Sequence, residues 1–157
     1  MKNKLLSFFF ILTVRCQDRE FRAAWIATVA NIDWPSRPGL DQVSAKNELL
    51  QQFDLAQELR LNSIIFQIRP ACDAYYDSKL EPWSYWLSGE NGLNPGWDPL
   101  QFAVEEGHRR SLEIHVWLNP YRANHPSGPP DDQLSPLSPA NTHPEYAYKL
   151  VSLYLDD

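Results

Sequence analysis

The sequence has 157 residues and a net charge of −6, and 43% of its residues are apolar while 22% are charged. This apolar content is typical of a folded domain and excludes a disordered chain, and the acidic balance argues against a nucleic-acid-binding protein. Six Trp and seven Tyr are many for this length. Such rings build hydrophobic cores, and they also bind the faces of sugars.

The first 16 residues have the pattern of an export leader. Lys2 and Lys4 precede an apolar run of about ten residues, which is too short to span a bilayer. Cys16 follows this run as the lipidated cysteine follows a bacterial lipoprotein leader, although Arg15 stands where a small residue is expected. We therefore expect residues 1–16 to direct export to the periplasm, the outer membrane or the medium, with Cys16 as a candidate lipid anchor to a membrane. An N-terminal core strand is the alternative, which the two lysines disfavour.

The first predicted strand covers residues 21–29, in which only Arg22 and Thr28 are polar. A carboxylate and an aromatic ring, Asp33 and Trp34, follow it closely. Ligands of α/β proteins bind at the carboxyl ends of the strands, so both are candidate site residues. Asp33 is the best local candidate for a catalytic carboxylate, but an Asp before Trp-Pro can equally cap a turn.

The second predicted strand is Ser63–Arg69, which ends at Pro70. Gln67 and Arg69 have the same parity and are therefore predicted to share one face of the strand near its carboxyl end. In a closed barrel, polar side chains on the inner face near this rim are typical of a site. An ion pair with a surface carboxylate is the alternative for Arg69. Asp73 follows the strand and is a second candidate carboxylate.

The third predicted strand covers residues 112–119 and is a short apolar run, as in the buried strands of parallel sheets. Pro120 ends it, because proline cannot donate a ladder hydrogen bond. An amide, a phenol and a guanidinium come together at this end, from Asn119, Tyr121 and Arg122. The sequence therefore predicts polar and aromatic groups at the ends of all three strands.

Helices are predicted between the strands. The first begins at Asp41 or Ser44 and ends near Leu61, and the second begins at Pro99 after the capping residue Asp98. Apolar residues at helical spacing give the first helix one buried face: Leu49, Phe53, Ala56 and Leu59. Residues 71–97, here called the aromatic loop, are rich in Tyr and Trp and are predicted to form a binding loop without regular structure. A capping box predicts a last helix over residues 142–149.

The order strand, helix, strand, helix, strand predicts parallel βαβ units and an α/β fold. Polar strand ends suit the first three βα units of a (β/α)₈ TIM-type barrel, whose complete form has roughly 250 residues. Three strands cannot close a barrel. We therefore expect residues 20–157 to be the N-terminal part of a barrel truncated at its C-terminus, with a small complete α/β domain as the alternative.

Six segments in residues 20–157 resemble, in order, the glycosyl-hydrolase-like family ten of bacterial secreted and lipoprotein enzymes: FRAAWIATVANIDWPS, SIIFQIRPACDAYY, LEPWSYWLSGENG, WDPLQFAVEEGHRR, LEIHVWLNPYRANHPS and LSPANTHPEY. The resemblance implies a (β/α)₈ barrel and glycoside hydrolysis, in some members of peptidoglycan strands. It implies these substrate-binding residues: Asp33, Trp34, Gln67, Arg69, Asp73, Trp117, Asn119, Tyr121 and Arg122. Cys72 and Ser111 stand where the family usually has Gly, and the family's Asp-rich fourth strand end lies beyond this chain.

These features predict a glycoside hydrolase segment that contacts a bacterial cell-wall glycan or another polysaccharide. Hydrolysis usually needs two carboxyl groups, so we expect this segment to supply sugar contacts while the acid–base pair lies downstream. Peptidoglycan carries carboxylates that Arg69 and Arg122 can pair with. A carbohydrate-binding lipoprotein without catalysis and an inactive truncated fragment are the alternatives. No cofactor, metal or nucleic acid is expected, since the four histidines lack ligand spacing and the glycines fit turns.

Overall fold

A computed structural model describes residues 20–148, so the predicted leader with Cys16 lies outside the described residues. The described chain forms an α/β fold around a parallel sheet of three strands in the order β1-β2-β3. Its strands and helices are, in chain order, β1 (Ala23–Ile26), α1 (Gln42–Glu58), β2 (Ser63–Arg69), α2 (Tyr85–Ser88), α3 (Pro99–Arg109), β3 (Glu113–Leu118) and α4 (Pro139–Thr142). The predicted α/β class and the βαβ order are confirmed.

The central strand β2 pairs with both neighbours in register, with Ser63 opposite Ala23 of β1 and Glu113 of β3. The ladder between β2 and β3 is irregular near its end, where Gln67 and Arg69 pair with consecutive β3 residues. Because all pairs are parallel, the carboxyl ends of the three strands meet at one edge of the sheet, here called the strand-end edge.

The hydrophobic core lies between one face of the sheet and the helices α1 and α3. Alternate β2 residues, Ile64 and Phe66, pack with Leu49 and Phe53 of α1 and with Ala103 of α3, and all five are buried. This is the helical spacing that the sequence predicted for α1. Leu59 is the exception, because α1 ends at Glu58 and the side chain that follows is 62% exposed.

Both helix starts follow from local chemistry. The Asp41 carboxylate accepts a hydrogen bond of 2.9 Å from the backbone NH of Ser44, and the Asp98 carboxylate accepts one of 2.9 Å from that of Gln101. Each carboxylate satisfies an NH group that has no partner within its helix. Of the two capping residues considered for α1, Asp41 is confirmed and Ser44 is not, and the cap Asp98 predicted for α3 is confirmed.

The predicted capping box at Thr142 is wrong, and the helical turn predicted after it is a 3₁₀ turn; Lys149, the last residue of that prediction, lies outside the described residues. Helix α4 ends at Thr142, where the last helix was predicted to begin, and a 3₁₀ turn follows at Pro144–Tyr146. The reason is His143, whose extended φ of −138° suits a residue before proline, since the proline ring disfavours helical backbone there. The Thr142 hydroxyl donates to the Ser138 carbonyl instead of capping a helix.

Two other segments also differ from prediction. The aromatic loop contains the helix α2 and a bridge between Ala74 and Trp83, so it has regular structure. Strand β3 was predicted to be buried, but Val116 and Leu118 are 49% and 47% exposed, because β3 is the edge strand of the described sheet. As for membrane insertion, no helix in residues 20–148 is both long and apolar enough to cross a bilayer.

Candidate functional site

Arg69 lies at the carboxyl end of β2, where three neighbours hold its guanidinium. Its Nε and Nη2 donate to the Glu81 carboxylate, Nη1 donates to the Asn119 carbonyl, and Nη2 lies 3.3 Å from the Cys72 sulfur. The side chains of Arg69 and Glu81 are only 17% and 11% exposed. The hydrogen bond to Glu81 raises the pKa of Arg69 above its usual value. Arg69 therefore ties β2 to the aromatic loop and to β3.

Asn119 extends this network across the strand-end edge. Its Nδ2 donates to the Pro70 carbonyl at 3.1 Å, and its Oδ1 accepts a hydrogen bond of 2.8 Å from Trp117 Nε1. Its backbone NH donates to the Arg69 carbonyl at 2.9 Å. The amide of Asn119 and the indole NH of Trp117 therefore hold the carboxyl end of β3 in place.

Gln67 joins the ends of β1 and β2. The side chain is fully buried, and its Oε1 accepts hydrogen bonds of 2.9 Å from the backbone NH groups of Thr28 and Val29. The Thr28 hydroxyl donates in return to the Gln67 carbonyl at 3.0 Å. The buried Nε2 has no hydrogen-bond partner among residues 20–148. Gln67 therefore positions the chain after β1 against the carboxyl end of β2.

Asp73 lies beneath the surface of the aromatic loop. It is 2% exposed, and its Oδ1 accepts a hydrogen bond of 2.9 Å from the Ala71 NH. Burial raises the pKa of this carboxyl to about 7, although the nearby Ser84 side chain and the backbone NH groups of Ala71 and Tyr85 oppose the change. The negative charge of Glu81 adds to the increase. The carboxyl is therefore partly protonated near neutral pH and faces the interior.

Asp33 and Trp34 lie away from the Arg69 network. The Asp33 carboxylate accepts a hydrogen bond of 2.7 Å from the Ala27 NH and lies in a groove against α1, beside Gln52. This is the turn role that the sequence left open for Asp33. Trp34 is fully buried, and its Nε1 donates to the Ala45 carbonyl at 2.8 Å. A fully buried ring offers no surface to a sugar, so the structure favours a packing role for Trp34 over the predicted contact.

Tyr121 and Arg122, on the loop after β3, are at least partly exposed to solvent, as Asp33 also is. Tyr121 is 95% exposed. Arg122 is half-buried, and no carboxylate within residues 20–148 pairs with it. Burial lowers the pKa of the neighbouring His125, and the charge of Arg122 lowers it further. The structure therefore brings Gln67, Arg69 and Asn119 together in hydrogen-bonded positions at the strand-end edge. Tyr121 and Arg122 lie on the loop that follows and are more accessible.

Aromatic rings also lie on the sheet face that the helices leave open. Trp25 of β1 is 61% exposed and meets Trp117 of β3 edge to face, with their ring centroids 5.2 Å apart. Successive side chains of a strand point to opposite faces, so Trp25 lies on the other face of the sheet from the core residue Ile26. This face therefore carries one exposed and one partly exposed indole ring near the strand-end edge.

Sequence reasoning missed two residues that shape this edge. Glu81 was one carboxylate among several in the aromatic loop, yet it is the main partner of Arg69. Asn31 donates from Nδ2 to the carbonyls of Pro35 and Trp86 at 2.8 and 2.9 Å. The signal available in the sequence was an Asn shortly after a predicted strand, since Asn tolerates the left-handed conformation better than most residues, and Asn31 has a φ of 52° in the structure.

The chemistry available here is that of ligand binding. Of the candidate carboxylates, Asp73 is buried, and Asp33 is exposed but hydrogen-bonded within a turn; after β3, Tyr121 is exposed and Arg122 is partly exposed. Over residues 20–148, no three His, Cys, Asp or Glu side chains are grouped so as to hold a metal ion. The described part of the edge can therefore hold a polar ligand with a ring, a guanidinium and ordered backbone groups.

Comparison with known proteins supports a carbohydrate-active family. The sequence model of the family described as glycosyl hydrolase-like 10 matches residues 20–149, which is most of the chain. Glycosyl hydrolase YngK of Bacillus subtilis (strain 168) is 47% identical over 131 residues, which are 82% of this chain and 25% of YngK. Glycosyl hydrolase DigH of Escherichia coli (strain K12) is 36% identical over 119 residues, which are 71% of this chain and 27% of DigH. The chain thus spans about a quarter of the length of these relatives.

Proposed function

The chain belongs to the glycosyl hydrolase-like 10 family, and from this premise we propose that it forms the N-terminal part of a glycoside hydrolase barrel. The observation that carries the proposal is the strand-end edge. There, β2 and β3 place a fixed network next to an exposed Tyr121 and to Arg122, which no carboxylate of residues 20–148 pairs with. In (β/α)₈ enzymes, this edge is where substrates bind.

The two faces of the sheet support the barrel. Helices α1 and α3 cover one face, and the other face carries Trp25 and Trp117. In a closed barrel, the second face turns inward and is filled by side chains from other strands. The inward face of a barrel accounts for the Trp25 ring, which the described residues leave exposed, and for the partly exposed Trp117 ring.

We propose a bacterial cell-wall glycan, or another polysaccharide, as the substrate. Tyr121 can stack on a sugar face, and Arg122 can pair with a carboxylate such as those of peptidoglycan. Arg69 was predicted to share that second role, but its guanidinium is held by Glu81 and Asn119. In this proposal, Arg69 and Gln67 order the rim, and the residues on the rim contact the sugar.

A second candidate is carbohydrate binding without hydrolysis. It is favoured by the placement of Asp33, which is hydrogen-bonded in a turn, and of Asp73, which is buried, since hydrolysis needs a pair of carboxyl groups that both reach the bound sugar. In the leading proposal, the acid–base pair comes from a downstream part of the barrel.

We also propose export with a lipid anchor at Cys16. The support is the sequence of residues 1–16 alone. Mass spectrometry of the mature N-terminus from native cells tests it, with diacylglycerol on Cys16 as the expected result. A mature chain that begins after Cys16 would contradict the anchor and leave export in place.

Binding of purified peptidoglycan glycan strands by the full chain tests the proposed substrate. Tyr121→Ala is expected to weaken retention by about tenfold, because an exposed ring that becomes covered by ligand behaves as a binding hot spot. The matched control is Tyr148→Ala, which removes a ring that is 86% exposed elsewhere on the chain. Equal losses in the two variants would contradict the proposal. Reducing ends released in the same assay separate hydrolysis from binding alone.

A further inference from the structure

An open depression of about 330 Å³ lies on the strand-end edge, apart from the residues that the sequence singled out. The loop after β1 contributes Asn31 and Arg37, helix α2 contributes Tyr85 and Trp86, and the loop after β3 contributes Ser127. Beneath it, Trp86 packs against core residues at the ends of β1 and β2. The depression therefore occupies the position where α/β proteins bind ligands, and three separate segments build it.

The wall from the β1 loop is held rigidly against α2. Asn31 Nδ2 donates to the carbonyls of both Pro35 and Trp86. The backbone NH of Gly39 donates to the Leu87 carbonyl at 3.2 Å. A side chain at Gly39 would come within 3.3 Å of the Ser88 carbonyl, so the two segments are in close contact. Such fixed walls lower the entropy lost on binding a ligand.

The opposite wall is tied to the same tryptophan. The His125 ring meets the Trp86 ring edge to face, with centroids 5.8 Å apart. The Ser127 hydroxyl lies 2.7 Å from His125 Nδ1, and the Ser127 NH donates to the same nitrogen at 3.2 Å. Because Nδ1 accepts the NH, the hydroxyl also donates to it, which leaves the lone pairs of Ser127 Oγ available to a ligand.

The charges around the depression favour an anion. Arg37 lines it and is exposed, and no carboxylate of residues 20–148 pairs with it. Arg122 is a second guanidinium without a carboxylate partner in this range. It lies close enough to His125 for its charge to lower the pKa of that imidazole. The whole chain has a net charge of −6, so two unpaired cations on one edge are a local exception. Asn31 Oδ1 adds an acceptor beside them, because only its Nδ2 is used by the loop.

We propose that this depression is a subsite for a sugar that carries a carboxylate. The Arg37 guanidinium pairs with the carboxylate, Asn31 Oδ1 and Ser127 Oγ accept hydrogen bonds from sugar hydroxyls, and the half-buried Tyr85 ring packs against the sugar. This inference deepens the proposed function and depends on it for the sugar class. It also adds Arg37, which the sequence did not single out, to Arg122 as a guanidinium for carboxylate recognition, since Glu81 holds Arg69.

The test is a binding titration of the full chain, followed by NMR, with three disaccharides. N-acetylglucosaminyl-N-acetylmuramic acid and N,N′-diacetylchitobiose, here called chitobiose, differ by one lactyl group with its carboxylate, and digalacturonic acid supplies a carboxylate of another source. We expect one or both acidic sugars to bind about tenfold more tightly than chitobiose, as a charge-assisted hydrogen bond predicts. The acid that gains affinity identifies the source of the carboxylate.

Substitutions at Arg37 test whether the tighter binding of acidic sugars arises in the depression. Arg37→Gln is expected to reduce acidic-sugar affinity to the level of chitobiose, and Arg37→Lys is expected to restore part of it. Arg60→Gln removes the same charge from an exposed position at the opposite end of β2 and is expected to change nothing.

Three results would overturn the inference. Equal affinity for acidic and neutral sugars refutes it and leaves the proposed glycan binding in place. An acidic preference that survives Arg37→Gln, in a protein whose NMR spectrum shows the native fold, places the carboxylate elsewhere. Failure of all three sugars to bind refutes the proposed function as well.

Discussion

Replacing Glu81 by Gln tests whether the Arg69 network is structural. The substitution keeps the size and one acceptor oxygen of the side chain, but it removes the negative charge that faces the guanidinium. Arg69, which is 17% exposed, then has only neutral acceptors: the Gln oxygen, the Asn119 carbonyl and the Cys72 sulfur. We expect the protein to be destabilised, because a largely buried cation loses its counter-ion.

The expected loss follows from the burial of the pair. Removing one partner of a fully buried ion pair costs about 3–5 kcal/mol. The cost is lower here because both side chains keep some exposure and Arg69 keeps a carbonyl acceptor, so we expect about 2 kcal/mol. For a domain of this size, that loss lowers the Tm by roughly 8 °C.

The measurement is urea and thermal unfolding of the full chain, with Glu20→Gln as the matched control. Glu20 also pairs with an arginine, Arg22, but the two side chains are 78% and 43% exposed. An exposed pair contributes little, so the control is expected to lose no more than about 0.5 kcal/mol. If Glu81→Gln costs no more than Glu20→Gln, the structural role assigned to Arg69 is refuted.

Three further predictions concern buried positions. Burial raises the pKa of Asp73 from 3.8 to about 7 in the folded state, so stability is expected to fall as pH rises from about 4 to about 7. Asp73→Asn should remove up to about 4 kcal/mol of this loss, and equal pH dependence of urea unfolding in the two proteins would contradict it. Trp34→Ala is expected to cost about 3–5 kcal/mol in urea unfolding, whereas Tyr121→Ala should cost under about 0.5 kcal/mol; similar values would contradict the core position of Trp34. Gly107→Ala is expected to cost about 1–3 kcal/mol in urea unfolding, because its Cβ would lie 2.4 Å from Ile114 Cδ1. The same substitution should cost less in an Ile114→Ala background, and an equal cost in both backgrounds would contradict the clash.

Local signals explain the elements that the sequence predicted well. The bounds of β2, Ser63–Arg69, agree with the prediction because an apolar β-branched run stops at a proline. The helix caps Asp41 and Asp98 were found because their chemistry involves residues three positions away. The last helix failed because the capping-box pattern was read without the effect of Pro144 on His143.

The candidate site was predicted by position and less well by role. The strand-end rule correctly brought Gln67, Arg69 and Asn119 to one edge, since parallel strands share a direction. It could not tell that Arg69 meets Glu81, because that pairing depends on how the aromatic loop folds back over β2. A guanidinium at a strand end looks the same in sequence whether it binds a ligand or a buried carboxylate.

The sequence by itself determined the α/β class, the parallel strand order, the family and the edge where polar groups gather. Each of these depends on residue type and spacing along the chain, which short-range sterics and burial periodicity control. The tertiary structure decided which groups at that edge are free. It buried Trp34 and exposed Tyr121, and it left Arg37 unpaired among the described residues beside a preformed depression. Packing between distant segments sets these outcomes, because it fixes which side chains lose water and which carboxylate reaches which cation.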